Sequence, residues 1–256
     1  MFAGVPFTLS HAAAVLPLHR RGRHELPLSA LMVGSMAPDF GYFLSQETNR
    51  LVTHSFTGLL TFALPWGIAA WFFYVAVLEK ATITLLPDRW HTRFAHTERI
   101  TPSLVLRACI AIVLGALTHI VWDAFTHRGT FATDAFPALL GATPGFPWLP
   151  IYHLLHGLSS VVGIVLLAIW ARHLHRLPAR SLIRPYPTSE RARTYAVMFI
   201  MLASVIAGLV EWWPNAYGRY DAQLFYAAVG SMSGFFVAWC VIAVWMWVMS
   251  RARDPR

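Results

Sequence analysis

Residues 55–78, SFTGLLTFALPWGIAAWFFYVAVL, contain no charged side chain in 24 consecutive positions. A helix needs about 20 mostly apolar residues to cross the hydrocarbon core of a bilayer. This stretch is therefore long enough and apolar enough to span a membrane, and it ends abruptly at Glu79 and Lys80.

Four further apolar runs follow along the chain, at residues 104–122, 157–171, 194–210 and 222–250. The composition agrees with them, because 12% of the 256 residues are charged and 57% are hydrophobic, whereas soluble domains carry roughly 25% charged residues. The pattern predicts an all-α fold, a polytopic transmembrane helical bundle. Residues 1–256 are expected to form a single membrane domain, with five main transmembrane helices within residues 55–250.

The first 50 residues are expected to form an N-terminal helical hairpin that carries His11 and Asp39. Residues 2–18 and 26–44 are apolar, and a basic turn containing Arg20, Arg21 and Arg23 joins them. The hairpin can consist of two short spans, a re-entrant loop or helices packed on the bundle, and the sequence leaves these alternatives open.

Arginine is distributed unevenly among the segments between the apolar runs. Residues 79–103, residues 172–193 and the C-terminal tail are rich in it, whereas residues 123–156 and 211–221 each contain a single arginine. Because cytoplasmic loops carry an excess of positive charge, we expect a multi-pass protein of the bacterial cytoplasmic (inner) membrane with a cytoplasmic C-terminus. The net charge of +8 then reflects topology, and the expected partners are membrane lipids and an unknown small-molecule or lipid substrate, with no nucleic acid.

Histidines and aspartates occur at the ends of the predicted spans, on the arginine-poor side. Residues four apart share one face of a helix, which applies to His119, Asp123 and His127, and residues three apart also do, which applies to His153 and His156. Asp39 and His54 end an apolar segment and open the next one, respectively. The full set of candidate metal ligands is His11, Asp39, His54, His119, Asp123, His127, His153 and His156.

Ionisable groups in apolar segments are costly, and they usually face a cavity, a partner or a metal. Imidazole nitrogen and carboxylate oxygen are ligands of zinc and similar divalent ions. The residue types and their placement therefore predict a divalent metal cofactor, with zinc the expected ion, while the number of ions stays open. Asp39 is expected to act as a ligand or as the base that deprotonates a water molecule.

Three motifs resemble those of a bacterial membrane family described as a domain of unknown function: residues 6–14 (PFTLSHAAA), 34–40 (GSMAPDF) and 53–58 (THSFTG). The order of the candidate ligands is also similar to that of the zinc-dependent phospholipase C family and of membrane-bound metal-dependent hydrolases. The phospholipase likeness implies that His54, His119 and Asp123 hold one metal.

The same likeness implies a neighbouring metal that His11 shares with Asp123, and another held by His127 with His153 or His156. The last ligand motif of the phospholipase family is His-x-x-x-Glu, whereas residues 153–157 here read HLLHG and contain no glutamate. One metal of that family is therefore missing here or differently held.

These features together lead us to expect a metal-dependent hydrolase at the extracytoplasmic face, acting on a phosphoester or lipid substrate. Hydrolysis is favoured mainly by the family likeness. The alternatives are a metal-ion or proton transporter, because histidine and aspartate in spans can form a relay, and a non-catalytic membrane assembly protein that metal stabilises.

Overall fold

A computed structural model describes residues 8–19, 26–44, 49–91, 100–174, 186–215 and 220–253. The basic turn at residues 20–23 and parts of the arginine-rich segments, residues 92–99 and 175–185, lie outside this described part. The described chain is predominantly helical, which confirms the all-α prediction. Its helices are α1 Leu28–Met36, α2 Phe40–Leu44, α3 Arg50–Thr53, α4 Phe56–Leu85, α5 Asp88–His91, α6 Pro102–Thr126, α7 Phe131–Ala135, α8 Ile151–Leu174, α9 Glu190–Trp212 and α10 Tyr220–Arg253.

Five of these helices, α4, α6, α8, α9 and α10, are long and apolar enough to cross a membrane. They coincide with the five apolar runs of the sequence, and the chain is a multi-pass membrane protein. Many of their large side chains are exposed, for example Val161 on α8 at 64%. Exposed valine and leucine on long helices face lipid in such a protein.

Polar caps extend several spans beyond their apolar runs. The side chain of Thr101 accepts a hydrogen bond from the Leu104 backbone N–H at 3.2 Å, and Pro102 occupies the first turn of α6. Ser55 caps α4 and Ser189 caps α9 in the same way. Such side chains satisfy N–H groups that have no partner within the helix, so each helix begins at its cap and not where hydropathy rises.

The N-terminal region consists of short helical pieces. The 3₁₀ segments Thr8–Ala13 and Leu16–Leu18 precede α1, and the 3₁₀ turn Ala37–Asp39 separates α1 from α2. Pro38 lies in that turn, and proline lacks the N–H that would continue an α-helix. None of the described pieces before residue 50 meets the length of a spanning helix.

Helix α1 packs closely along α6. A Cβ atom added at Gly34 would collide with the backbone of Ile112, and one added at Gly115 would lie 2.7 Å from the Ser35 nitrogen. Only glycine permits this approach of two backbones. This contact sets the position of Ser35 and Asp39 along the axis of α6, relative to the end of that helix.

The chain divides into two compact units. One contains residues 7–71 and 100–170, and it holds all the candidate ligands. The other contains residues 72–99 and 171–256 and includes α9 and α10. A feature that the sequence reading missed is a small antiparallel hairpin in the first unit, β1 Ala142–Thr143 and β2 Phe146–Pro150, which turns at Gly145 with φ 81°.

Candidate metal centre

Four side chains from three parts of the chain converge at the end of α6. His119 and Asp123 lie one turn apart near the end of that helix, and both are buried. Asp39 ends the Ala37–Asp39 turn, and His54 caps the C-terminus of α3. Asp39 and His54 thus lie at points where helical structure is interrupted. There they meet His119 and Asp123, which share one face of the continuous helix α6.

One ligand atom from each of these residues lies close to those of the others. His54 Nε2 is 3.2 Å from Asp39 Oδ1, 3.3 Å from His119 Nε2 and 3.5 Å from Asp123 Oδ2. His119 Nε2 is 3.5 Å from Asp39 Oδ1 and 3.4 Å from Asp123 Oδ2. All four atoms lie within 4.8 Å of one another, so the group could hold a metal ion.

The spacing of these atoms suits a four-coordinate cation site. Five of the six distances among them lie between 3.2 and 3.5 Å, and the sixth, between the two aspartate oxygens, is at most 4.8 Å. A regular tetrahedron with the shorter edges has its centre about 2.0–2.1 Å from each corner, which is the length of zinc bonds to histidine nitrogen and close to that for carboxylate oxygen. Two imidazoles and two carboxylates supply the nitrogen and oxygen donors that zinc accepts. The donor set and its spacing therefore agree with the sequence prediction of a divalent ion, without identifying which ion it is.

Further contacts orient three of the four ligands. The Ser35 carbonyl lies 2.7 Å from His119 Nδ1, which leaves Nε2 of that ring to face the cluster. The Thr8 hydroxyl donates to Asp39 Oδ2 at 2.7 Å, and the Thr53 hydroxyl lies 2.9 Å from His54 Nδ1. Partners of this kind fix the rotamer and the tautomer of metal ligands.

The second carboxylate oxygen of Asp123 faces two more histidines. His11 Nε2 and His127 Nδ1 each lie 3.5 Å from Asp123 Oδ1. The His11 ring stacks on the His119 ring with centroids 4.0 Å apart. Within the described part of the chain, the buried atoms His11 Nδ1 and Asp123 Oδ1 make no hydrogen bond.

The protonation of the groups outside the spans suits cation binding. Burial, reinforced by the neighbouring His119, lowers the pKa of His11 to about 3, and burial lowers the pKa of His127 to about 3. Both rings are therefore neutral at pH 7, the form that binds metal. Burial alone would raise the pKa of Asp39, but His119 and His54 hold it well below its ordinary value, so this carboxylate is ionised.

The remaining two predicted ligands lie farther from the four-atom group. The ring of His156 meets that of His127 edge-on at 5.0 Å, and the centroid of His153 is 6.3 Å from that of His156. They extend the histidine cluster along α8, in the first two turns of that helix. The structure thus brings five of the other seven predicted residues around Asp123 and places the remaining two beyond His127.

Sequence reasoning missed Arg50. Its guanidinium donates to Asp123 Oδ2 at 2.6 Å, and its side chain is 29% exposed, whereas that of Asp123 is 7% exposed. The available sequence signal was the position of Arg50, which lies four residues before His54 and just ahead of an uncharged span. Arg50 neutralises part of the negative charge of the two aspartates and reaches the solvent-accessible side of the cluster.

A family model described as Domain of unknown function (DUF4184) matches residues 5–247. The chain belongs to this family. The DUF4184 match covers nearly the whole chain, and it agrees with the resemblance of the opening motifs to a membrane family of unknown function. No curated protein and no solved structure matches it.

Proposed function

We propose that the protein is a membrane-embedded metal-dependent hydrolase that acts on a phosphoester, in a lipid or a small molecule. The observation that supports this most is the arrangement around Asp123. One of its carboxylate oxygens belongs to the four-atom group with Asp39, His54 and His119, and the other faces His11 and His127.

A purely structural zinc site is closed by four protein ligands. Here the neutral imidazoles of His11 and His127 face the other carboxylate oxygen of Asp123, and the ring of His156 contacts that of His127. A carboxylate with a cation position on each side is the arrangement of two-metal hydrolytic sites, whose ions lie about 3.5–4 Å apart. The neighbouring position has His11, His127 and Asp123 as its three nearest donors, so an ion there would keep a place for water, as catalytic zinc sites do.

The roles of the residues follow from their contacts. Asp39, His54, His119 and Asp123 would hold one ion, with zinc as the proposed metal, and His11 and His127 would join Asp123 at a neighbouring position. A divalent ion held there would supply a water nucleophile acidified to a pKa of about 7. Asp39 has one oxygen held by Thr8 and the other directed to the cluster, so it is a ligand or the base that accepts the proton of the water.

The charge of the cluster favours an anionic substrate. Two carboxylates and the guanidinium of Arg50 combine with one divalent cation to a net charge of about +1, and a second cation makes it more positive. A phosphoester brings the negative charge that such a site lacks. The partly exposed Arg50 can pair with a phosphate oxygen, which guanidinium groups bind in a two-pronged geometry.

The proposed location is the extracytoplasmic face of the bacterial inner membrane, with a cytoplasmic C-terminus. The cluster lies where α4 begins, α6 ends and α8 begins, and the connecting residues 123–156 contain a single arginine. The order of the candidate ligands, which is similar to that of zinc-dependent phospholipase C and of membrane-bound metal-dependent hydrolases, supports the same reaction class.

The test is hydrolysis by purified protein in nanodiscs, loaded with zinc or manganese, of a phosphodiester and a phosphomonoester that release nitrophenol. We expect turnover that a chelator abolishes and that Asp39→Asn and His119→Ala reduce at least about a hundredfold. His173→Ala is the matched control, because His173 is exposed in the last turn of α8. Metal-loaded protein that hydrolyses neither probe, nor any phospholipid, would overturn the proposal.

Metal flux into proteoliposomes, measured with a trapped indicator, distinguishes the transporter alternative. The hydrolase proposal predicts no flux above that of empty vesicles. Flux that depends on His119 in the absence of hydrolysis would assign the cluster to transport.

A further inference from the structure

The segment between α6 and α8 is folded and yet exposes its largest side chains. Residues 127–150 contain the short helix α7, the 3₁₀ turn Pro137–Leu140 and the β1–β2 hairpin. The aromatic residues of the segment are exposed, as with Phe136 at 57% and Trp148 at 66%, and Phe131 and Phe146 are each more than half exposed.

Small side chains occupy the inside of the same segment. Ala132 and Thr133 are 1% exposed, and Thr143 is also buried. Thr130 and Thr133 form a reciprocal capping box at the start of α7. The backbone is thus held in a defined conformation that presents the large aromatic side chains outward. In water the opposite arrangement, with large side chains buried, is more stable, because each large side chain left exposed forgoes about 1.5–3 kcal/mol of burial free energy.

The ends of the segment determine what surrounds it. It begins after Thr126 and ends before Ile151, where two consecutive spanning helices meet one face of the bilayer. Its exposed apolar surface continues onto a span, because the ring of Phe136 stacks on that of Phe125, itself 40% exposed on α6, with centroids 6.5 Å apart. Arg128 and Asp134 are the only charged residues in the 24-residue connection.

We propose that residues 131–148 form a platform that inserts Phe131, Phe136, Phe146 and Trp148 into the headgroup and acyl boundary of the lipid leaflet. Aromatic side chains are favoured at this depth, because a ring with an apolar body lies at the border between headgroups and hydrocarbon. The occupant of the exposed surface is therefore the bilayer itself, continuous with the lipid that surrounds α6 and α8.

Spin-label accessibility measures this depth without any enzyme assay. The background carries Cys109→Ala and Cys240→Ser, which remove the two free cysteines, and single labels are placed by Phe136→Cys and Trp148→Cys in full-length protein in phosphatidylcholine and phosphatidylglycerol nanodiscs. Val161→Cys in the middle of α8 is the hydrocarbon control, and Glu190→Cys, exposed at the start of α9, is the aqueous control.

We expect the labels at positions 136 and 148 to be more accessible to oxygen than to a nickel chelate, at a depth of about 5–10 Å below the phosphates. Phe146→Cys repeats the measurement if one of the two variants does not fold. Labels as accessible to the nickel chelate as the one at position 190 would place the segment in water and overturn the proposal. Labels protected from both reagents, with dipolar broadening between protein copies, would show a protein interface and overturn it equally.

Discussion

Substitution of Gly115 by alanine should weaken metal binding although the nearest atoms that the added Cβ would meet belong to Leu31, Gly34 and Ser35 and to no ligand side chain. An added Cβ would lie 2.7 Å from the Ser35 nitrogen and closer still to the Leu31 carbonyl oxygen, whereas ordinary contacts begin at 3.4 Å. The Leu31 oxygen, at 2.4 Å, sets the required movement, so helix α1 must move away from α6 by about 1.0 Å, since interiors are close-packed and cannot absorb the atom.

The movement breaks the contact that orients His119. The Ser35 carbonyl lies 2.7 Å from His119 Nδ1, and a shift of about 1.0 Å takes this distance beyond the 2.7–3.2 Å range of N–H···O hydrogen bonds. Loss of such a partner typically reduces metal affinity about 10- to 100-fold, or about 1.4–2.7 kcal/mol. We therefore expect the zinc Kd of Gly115→Ala to rise about 10- to 100-fold, measured by competition with a fluorescent chelator.

Two alanine variants separate this effect from general damage. Gly157→Ala adds a Cβ that meets no atom within 4 Å and should leave both folding and affinity unchanged. Gly230→Ala creates a comparable collision in the other unit, against Ala207 and Glu211, and should lower stability without changing the affinity of the folded protein. An affinity of Gly115→Ala equal to that of Gly157→Ala would refute the reasoning.

Three further predictions concern the same cluster. Thr8→Val removes the hydroxyl that holds Asp39 at 2.7 Å with little change in shape, and isothermal titration should show about a tenfold loss of zinc affinity; an unchanged affinity would contradict the orienting role. Arg50→Gln removes a positive charge that binds Asp123, so zinc content should be retained while the KM for a phosphoester rises, and an unchanged KM would exclude Arg50 from substrate binding. A chelator should lower the thermal unfolding temperature, because ligand at about 100 times its Kd stabilises the native state by about 2.7 kcal/mol; identical melting curves with and without the chelator would count against a bound metal.

The membrane fold was predictable because its signal is strong and local. Each of the five apolar runs corresponds to a helix of spanning length, since a bilayer requires a continuous apolar segment with all its backbone groups paired. The β1–β2 hairpin and the division of the N-terminal region into short pieces were not predicted. They depend on Gly145, Pro38 and the glycine contacts between α1 and α6, whose effect requires knowledge of the packing.

For the candidate site, residue type and helical spacing indicated which side chains to examine. The one-turn relation of His119 to Asp123 is a property of any helix, and the structure adds the distances to Asp39 and His54 that sequence cannot supply. The contact between the Ser35 carbonyl and His119 could not have been predicted from the sequence. Every residue type has a backbone carbonyl, so the identity of residue 35 gives no signal. Arg50 was not predicted, because a positive side chain beside candidate ligands is expected to repel a metal cation. Its partial exposure and its ion pair with Asp123, which make the position favourable, are visible only in the structure.

Metal content tests the central claim most directly. Protein purified without chelators should contain at least one equivalent of a divalent transition metal by inductively coupled plasma mass spectrometry, and His119→Ala/Asp123→Ala should contain none, while His173→Ala retains the wild-type amount. A double variant that folds and keeps the full metal content, or wild-type protein that holds no metal even after exposure to zinc, manganese and iron, would contradict the assignment of this cluster as a metal centre.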